Sequence, residues 1–106
     1  KDQTRLISNE IVRKYSPEKI ILFGSFANGK VNRNSDIDML IIKKTRENFY
    51  DRLYRIRKIV EPKIPFDPLV FTPQEIALRQ KAGDAMILEI FQTGKVLYEK
   101  RQSQSK

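Results

Sequence analysis

A chain of 106 residues, 40% apolar and 32% charged, carries enough apolar material for one compact core, too little for two, and too much for a disordered segment. It contains no Cys and no His, which excludes a disulfide framework and the thiolate or imidazole sites that hold zinc and other transition metals, so any metal would be a hard cation bound through oxygen. The formal charge of +8 points to an anionic partner or substrate, while apolar runs of no more than four residues exclude a membrane-spanning helix and make the cytoplasm the default location.

In chain order, Ile7, Ile11 and Tyr15 recur at i, i+4 and i+8 and predict an amphipathic helix over residues 4–15, with Thr4 as its N-cap and Ser16-Pro17 as its stop. Lys19 to Phe23 is continuous and apolar, as a strand buried on both faces would be. Gly24-Ser25 ends that strand, Phe26-Ala27-Asn28 forms a helical turn, Gly29 closes it in the left-handed region, and residues 31–35 are polar turn material. From Asp36 the chain is extended again, and period-2 geometry puts Asp36, Asp38, Leu40 and Ile42 on one face with Ile37, Met39 and Ile41 on the other.

Thr45 is the expected cap of a helix reaching Val60, with Phe49, Leu53, Ile56 and Val60 as its buried stripe and Arg52, Arg55 and Lys58 on another face. Residues 43–63 hold eight basic and three acidic side chains, the main basic patch of the chain. Pro62 and Pro65 break the chain before a third strand, Phe66 to Phe71, which Pro68 marks as an edge strand or as bulged. Thr72-Pro73-Gln74-Glu75 is a capping-box helix start whose apolar face begins with Ile76 and Leu78. After Gly83, Asp84 caps a last helix with Met86, Ile87, Ile90 and Phe91 as its stripe and Gly94 as its terminator, and Lys95 to Tyr98 is a short final strand. Residues 1–99 thus form one domain, followed by a polar, disordered tail over 100–106.

Three acids and one turn carry the candidate chemistry. Nucleotidyl transfer needs a grip on a triphosphate, which Gly24 permits by close backbone approach and Ser25 supplies with its hydroxyl and amide. It also needs carboxylates that hold a pair of divalent ions, for which Asp36 and Asp38 stand side by side. Asp67, in the other acid-bearing apolar strand, is the candidate third ligand and proton acceptor. Singly, Gly24-Ser25, Asp36 and Asp67 have ordinary explanations as turn or surface groups, whereas Asp38 stands in a strand, where Asp is depleted, and precedes four apolar residues. Their combination of strand, Gly-Ser turn, Asp-x-Asp strand and later strand Asp has no such explanation.

Leu22-Phe23-Gly24-Ser25, Ala27, Gly29 and Ser35-Asp36-Ile37-Asp38-Met39-Leu40-Ile41 closely resemble the signature of the nucleotidyltransferase superfamily that shares the DNA polymerase β fold, and the short chain is similar to its minimal nucleotidyltransferase (MNT) branch. Phe66-Asp67, Thr72 to Glu75 and Thr93 to Tyr98 extend the resemblance over nearly the whole chain. It implies an α/β (α+β) fold with a small mixed sheet flanked by helices, Gly24 and Ser25 on the triphosphate, and Asp36, Asp38 and Asp67 on two Mg²⁺ ions. It further implies a Mg²⁺-dependent enzyme that transfers AMP from ATP to a hydroxyl of a partner HEPN-domain toxin, and so acts as an antitoxin. The alternative is a non-catalytic, nucleotide-binding antitoxin subunit that neutralises its partner by contact. Nucleic acid is disfavoured as a partner, because the basic segment shows neither an aromatic stacking platform nor a reading helix. One position departs from the family pattern: Asn28 stands where many relatives carry Arg before the glycine, replacing a fixed charge by neutral hydrogen bonds.

Overall fold

The computed structural model describes residues 3–61 and 63–101. Its elements run α1 (Gln3–Tyr15), β1 (Lys19–Phe23), α2 (Ser25–Asn28), β2 (Ile37–Ile42), α3 (Phe49–Ile59), β3 (Phe66–Phe71), α4 (Pro73–Lys81), α5 (Ala85–Thr93) and β4 (Lys95–Glu99). The strands form one sheet in the order β3-β2-β1-β4, with β1 antiparallel to both β2 and β4 and β2 parallel to β3. A parallel pair needs a crossover, and α3 provides it between β2 and β3. This is the mixed, helix-flanked sheet expected from the sequence, with Pro68 on the edge strand β3. Pro62, the first of the expected chain breaks, and residues 102–106 of the expected tail lie outside the described residues. Lys100, at the start of that tail, donates its N–H to the Glu18 carbonyl at 2.8 Å. Among the described residues no helix is long and apolar enough to cross a membrane.

Two cores sandwich the sheet. On one side Ile37, Met39 and Ile41 of β2 pack with Ile7, Ile11 and Tyr15 of α1 and Ile56 of α3. On the other, Leu40 and Ile42 pack with Ile21, Phe71, Ile76 of α4 and Ile87 and Ile90 of α5. The period-2 reading of β2 therefore holds, and Asp38 shares the second face with Leu40 and Ile42.

Several local expectations shift. Thr4 lies inside α1 rather than capping it. The helix ends at Ser16, whose φ of 53° is left-handed rather than the extended conformation usual before proline. Lys43 then donates to the free carbonyls of Tyr15 (2.7 Å) and Ser16 (3.2 Å), taking that cation out of the basic patch. Thr45 does not cap α3. It accepts from the Glu47 N–H in a local turn, and Asn48, which accepts from the Asp51 N–H at 2.9 Å, is the cap. Gly94 stops α5 in extended rather than left-handed conformation; a Cβ there would lie 2.6 Å from Ile21 Cγ2, so glycine serves a close helix–strand approach. Thr72 and Glu75 form the capping box expected of them.

The largest correction concerns Arg52. Instead of lining an outer face, it is 6% exposed, at the i−4 position from buried Ile56. Its guanidinium donates to both Glu75 carboxylate oxygens (2.7 and 3.1 Å), to the Val70 carbonyl (3.1 Å) and to the Glu47 carbonyl (2.8 Å). Glu75 also accepts from the Thr72 N–H, so one ion pair ties α3, the end of β3 and the start of α4 together. Arg52 holds the Glu75 carboxyl below its usual range. Such a carboxylate stabilises the fold above its unfolded pKa, and the contribution is lost as pH falls through the folded value. Arg52→Met, which strands a carboxylate and two carbonyls, is expected to cost about 2–4 kcal/mol at pH 7. Urea denaturation checks this, and the gap from wild type should narrow below about pH 4 as Glu75 protonates.

Candidate active site

The site lies where β1 ends and β2 and β3 begin. Parallel pairing puts Ile37 opposite Phe66 and Asp38 opposite Asp67, and antiparallel pairing puts Phe23 opposite Asp38. Asp67 shares its face with Leu69 and Phe71, both of which pack into the second core, so Asp38 and Asp67 lie on the same face of adjacent strands. Asp36 is exposed and sits one residue before β2 begins. The Ile37 N–H bonds the Pro65 carbonyl at 2.8 Å and fixes the register at this end.

Gly24 follows Phe23 and has φ 77° and ψ −156°, a region open essentially to glycine alone. A Cβ built on it would collide with Asp38 Oδ2, so the absent side chain makes room for the carboxylate beside it. Ser25 opens α2, whose Ala27 and Asn28 N–H groups both reach the Gly24 carbonyl (3.0 and 3.1 Å). The first N–H groups of such a turn have no acceptor within it. Gly29 closes the turn with φ 81°, as the sequence predicts. Asn28, at the departing position, accepts from the Lys30 N–H at 3.0 Å, so its amide serves the turn and brings no charge. Asn32 and Ser35 brace the next loop: the Asn32 N–H donates to Ser35 Oγ at 2.8 Å and the Asn34 N–H to Asn32 Oδ1 at 2.7 Å.

Burial pushes the Asp38 carboxyl up from its ordinary value, and the charges of Asp67 and then Asp36 push it further. Asp67 and Asp36 therefore both act on one half-buried carboxylate, that of Asp38. The structure brings Asp38, Asp67 and Gly24 together, with Asp36 at the rim. Among the described residues, no set of three metal-ligating side chains stands close enough to enclose a cation unaided. The donors are nevertheless the right kind for a hard cation: carboxylates only, with a repulsion at Asp38 that positive charge would relieve.

Two outcomes follow for the ligand-free protein. A carboxyl whose folded pKa is raised binds its proton more tightly in the fold, so stability falls as pH rises from the unfolded value through the folded one, and the deficit is complete at neutral pH. Asp38→Asn should raise Tm at pH 7 by about 2–4 °C, allowing for screening at a half-exposed group, and the gain should vanish near pH 3. Gly24→Ala should lower stability by about 1–3 kcal/mol, because the backbone conformation is strained for alanine and its methyl group displaces Asp38. Calorimetry over a pH series measures both.

The sequence profile of the family described as polymerase beta, nucleotidyltransferase matches residues 7–103. Among solved structures, a protein from Sulfolobus solfataricus described as a candidate nucleotidyltransferase is similar at 26% identity and a TM-score of 0.59, over 73% of this chain and 70% of that one. A chain from a toxin-antitoxin structure determined with AMP-PNP shares the fold at 20% identity and a TM-score of 0.52, over 96% of this chain and 77% of that one. No curated protein matches. With the profile spanning both glycine turn and acidic strands, the chain belongs to the polymerase beta nucleotidyltransferase family.

Proposed function

We propose that this chain is a cytoplasmic, Mg²⁺-dependent nucleotidyltransferase that moves AMP from ATP onto a hydroxyl of a HEPN-domain toxin, and acts as that toxin's antitoxin. The observation that carries the reading is the pairing of Asp38 with Asp67 beside Gly24, two carboxylates on one face next to a backbone turn with no side chain in the way. Family membership supports transfer of a nucleotidyl group, and the fold shared with a chain from a toxin-antitoxin structure supports the choice of partner.

In this reading Gly24 admits the triphosphate, and Ser25 donates its hydroxyl and N–H to a phosphate oxygen. Asp36, Asp38 and Asp67 would hold the ions, and Asp67 would take the proton of the acceptor hydroxyl. A Mg²⁺ ion bound there would supply positive charge to neutralise the triphosphate. The acceptor oxygen bonds to the α-phosphorus, the bond from that phosphorus to its bridging oxygen breaks, and pyrophosphate leaves. The acceptor surface comes from the partner.

Incubation with ATP labelled in its α-phosphate, Mg²⁺ and the co-encoded HEPN protein is expected to label that protein, and Asp36→Ala combined with Asp38→Ala to abolish the label. No label with wild type, or equal label with the double variant, overturns the reading. A double variant that binds the toxin and still neutralises it would favour the alternative of a non-catalytic, nucleotide-binding subunit.

A further inference from the structure

The outer face of α3 plays no part in the core or in the site. Tyr50, Tyr54 and Lys58 recur at i, i+4 and i+8 and stack along it, with Tyr50 79% and Tyr54 63% exposed. Lys58 Nζ lies 5.5 Å from the Tyr54 ring centroid, Phe49 meets Tyr50 edge-on at 5.8 Å, and Arg57 is exposed beside them. A stripe of tyrosines and cations on a rigid helix has the composition of a protein-binding hot spot. Beside it a groove of about 420 Å³ opens, with Tyr15, Tyr54 and Ile59 in its walls and Lys14, Arg55 and Lys58 among its charged residues.

Tyr15 gives that groove its chemistry. It is 7% exposed, and its hydroxyl is buried with no hydrogen-bond partner, although burial, reinforced by the charge of Glu47, keeps the phenol protonated and able to donate. Two acids also line the groove. Glu47 is occupied by Arg55 at 2.6 Å and Lys14 by Glu10 at 3.3 Å, which leaves Asp51 and Lys58 as the other charged groups of the lining. We propose that the outer face of α3 and this groove dock an acidic surface of a partner protein, one carboxylate of which enters the groove and accepts the Tyr15 hydroxyl. The excess of cations around the stripe sets the sign of the partner. Glu47 just before α3 and Asp51 in its first turn oppose a continuous phosphate chain, which favours a protein over a nucleic acid. The helix packs on the face of the sheet opposite to Asp38 and Asp67, so docking and chemistry are separate.

The proposal rests on the reading above only for the partner's identity. Calorimetric titration of the intact chain with the HEPN protein is expected to give a Kd about 10-fold or more higher for Tyr50→Ala with Tyr54→Ala. Lys58→Glu should weaken binding, wild-type affinity should fall with salt, and Tyr15→Phe should weaken it several-fold without lowering Tm. In the labelling assay the same variants should raise KM and leave kcat unchanged. Unchanged affinity in the tyrosine double variant and in Tyr15→Phe overturns the proposal. So does a single-stranded RNA ten-mer that competes with the partner and fails to bind the tyrosine variant. Binding that depends on these tyrosines while wild type transfers no label keeps the docking site and removes the transfer reading. Label formed with unchanged KM in the variants does the reverse, and a wild type that does not bind the HEPN protein removes both.

Discussion

The parallel pairing of β2 with β3 is the constraint on which the site depends. Side chains alternate along a strand, so a slip of one residue would carry Asp67 to the α1–α3 side while Asp38 stayed on the other. Register is therefore held at both ends: the Ile37 N–H bonds the Pro65 carbonyl, and the Lys43 N–H bonds the Phe71 carbonyl. Between these ends runs the α3 crossover, and Arg52 fixes it by gripping the Val70 carbonyl inside β3 and Glu75 just beyond it. A buried ion pair brings little net stability over an apolar substitute, because desolvating both charges offsets their attraction. Its value here is positional, since apolar packing of Ile56 and Val60 would tolerate a shift along the strand that the guanidinium's fixed geometry does not.

The cost of that precision appears at Asp38. A carboxylate placed half-buried, within reach of two other acids and against a glycine with no Cβ, is a poor arrangement for stability and a good one for binding positive charge. The strained conformation of Gly24 belongs to the same arrangement, since only glycine combines that φ and ψ with room for Asp38.

Much of this was legible from residue order because it is local. The Gly-Ser turn, the left-handed Gly29, the shared face of Asp38 and Leu40 and the capping box of Thr72 and Glu75 each depend on neighbours within a few positions. What escaped depends on partners far along the chain. Arg52 read as a surface cation because its carboxylate lies 23 residues away, although its place four residues before buried Ile56 was a usable signal. Asn48 displaced Thr45 as the α3 cap, and an Asn three residues before Asp51 could have suggested it. Phe49, expected in the buried stripe, is 39% exposed, and with Tyr50 and Tyr54 it gives the basic segment an aromatic surface that residue spacing did not reveal.

The net charge of +8 shows why composition alone misplaces a binding surface. Within residues 43–63 Lys43 closes the end of α1, Arg52 is enclosed against Glu75, and Arg55 is held by Glu47, so three of the eight basic side chains serve the fold. A uniform basic face able to follow a phosphate backbone does not survive this partition. Of the other five, Lys44, Arg46 and Lys63 lie outside α3, and what remains on the helix is short and mixed: Lys58 and Arg57 beside two exposed tyrosines, with a buried hydroxyl close by. Its length, about 16 Å for the 11 residues of α3, suits one helix or loop of another protein more than an extended polymer. The cores on the two sides of the sheet share β1, β2 and β3 but no outer helix, and on α3 the link to the register is buried Arg52, so substitution of the exposed tyrosines leaves the carboxylates and their register untouched.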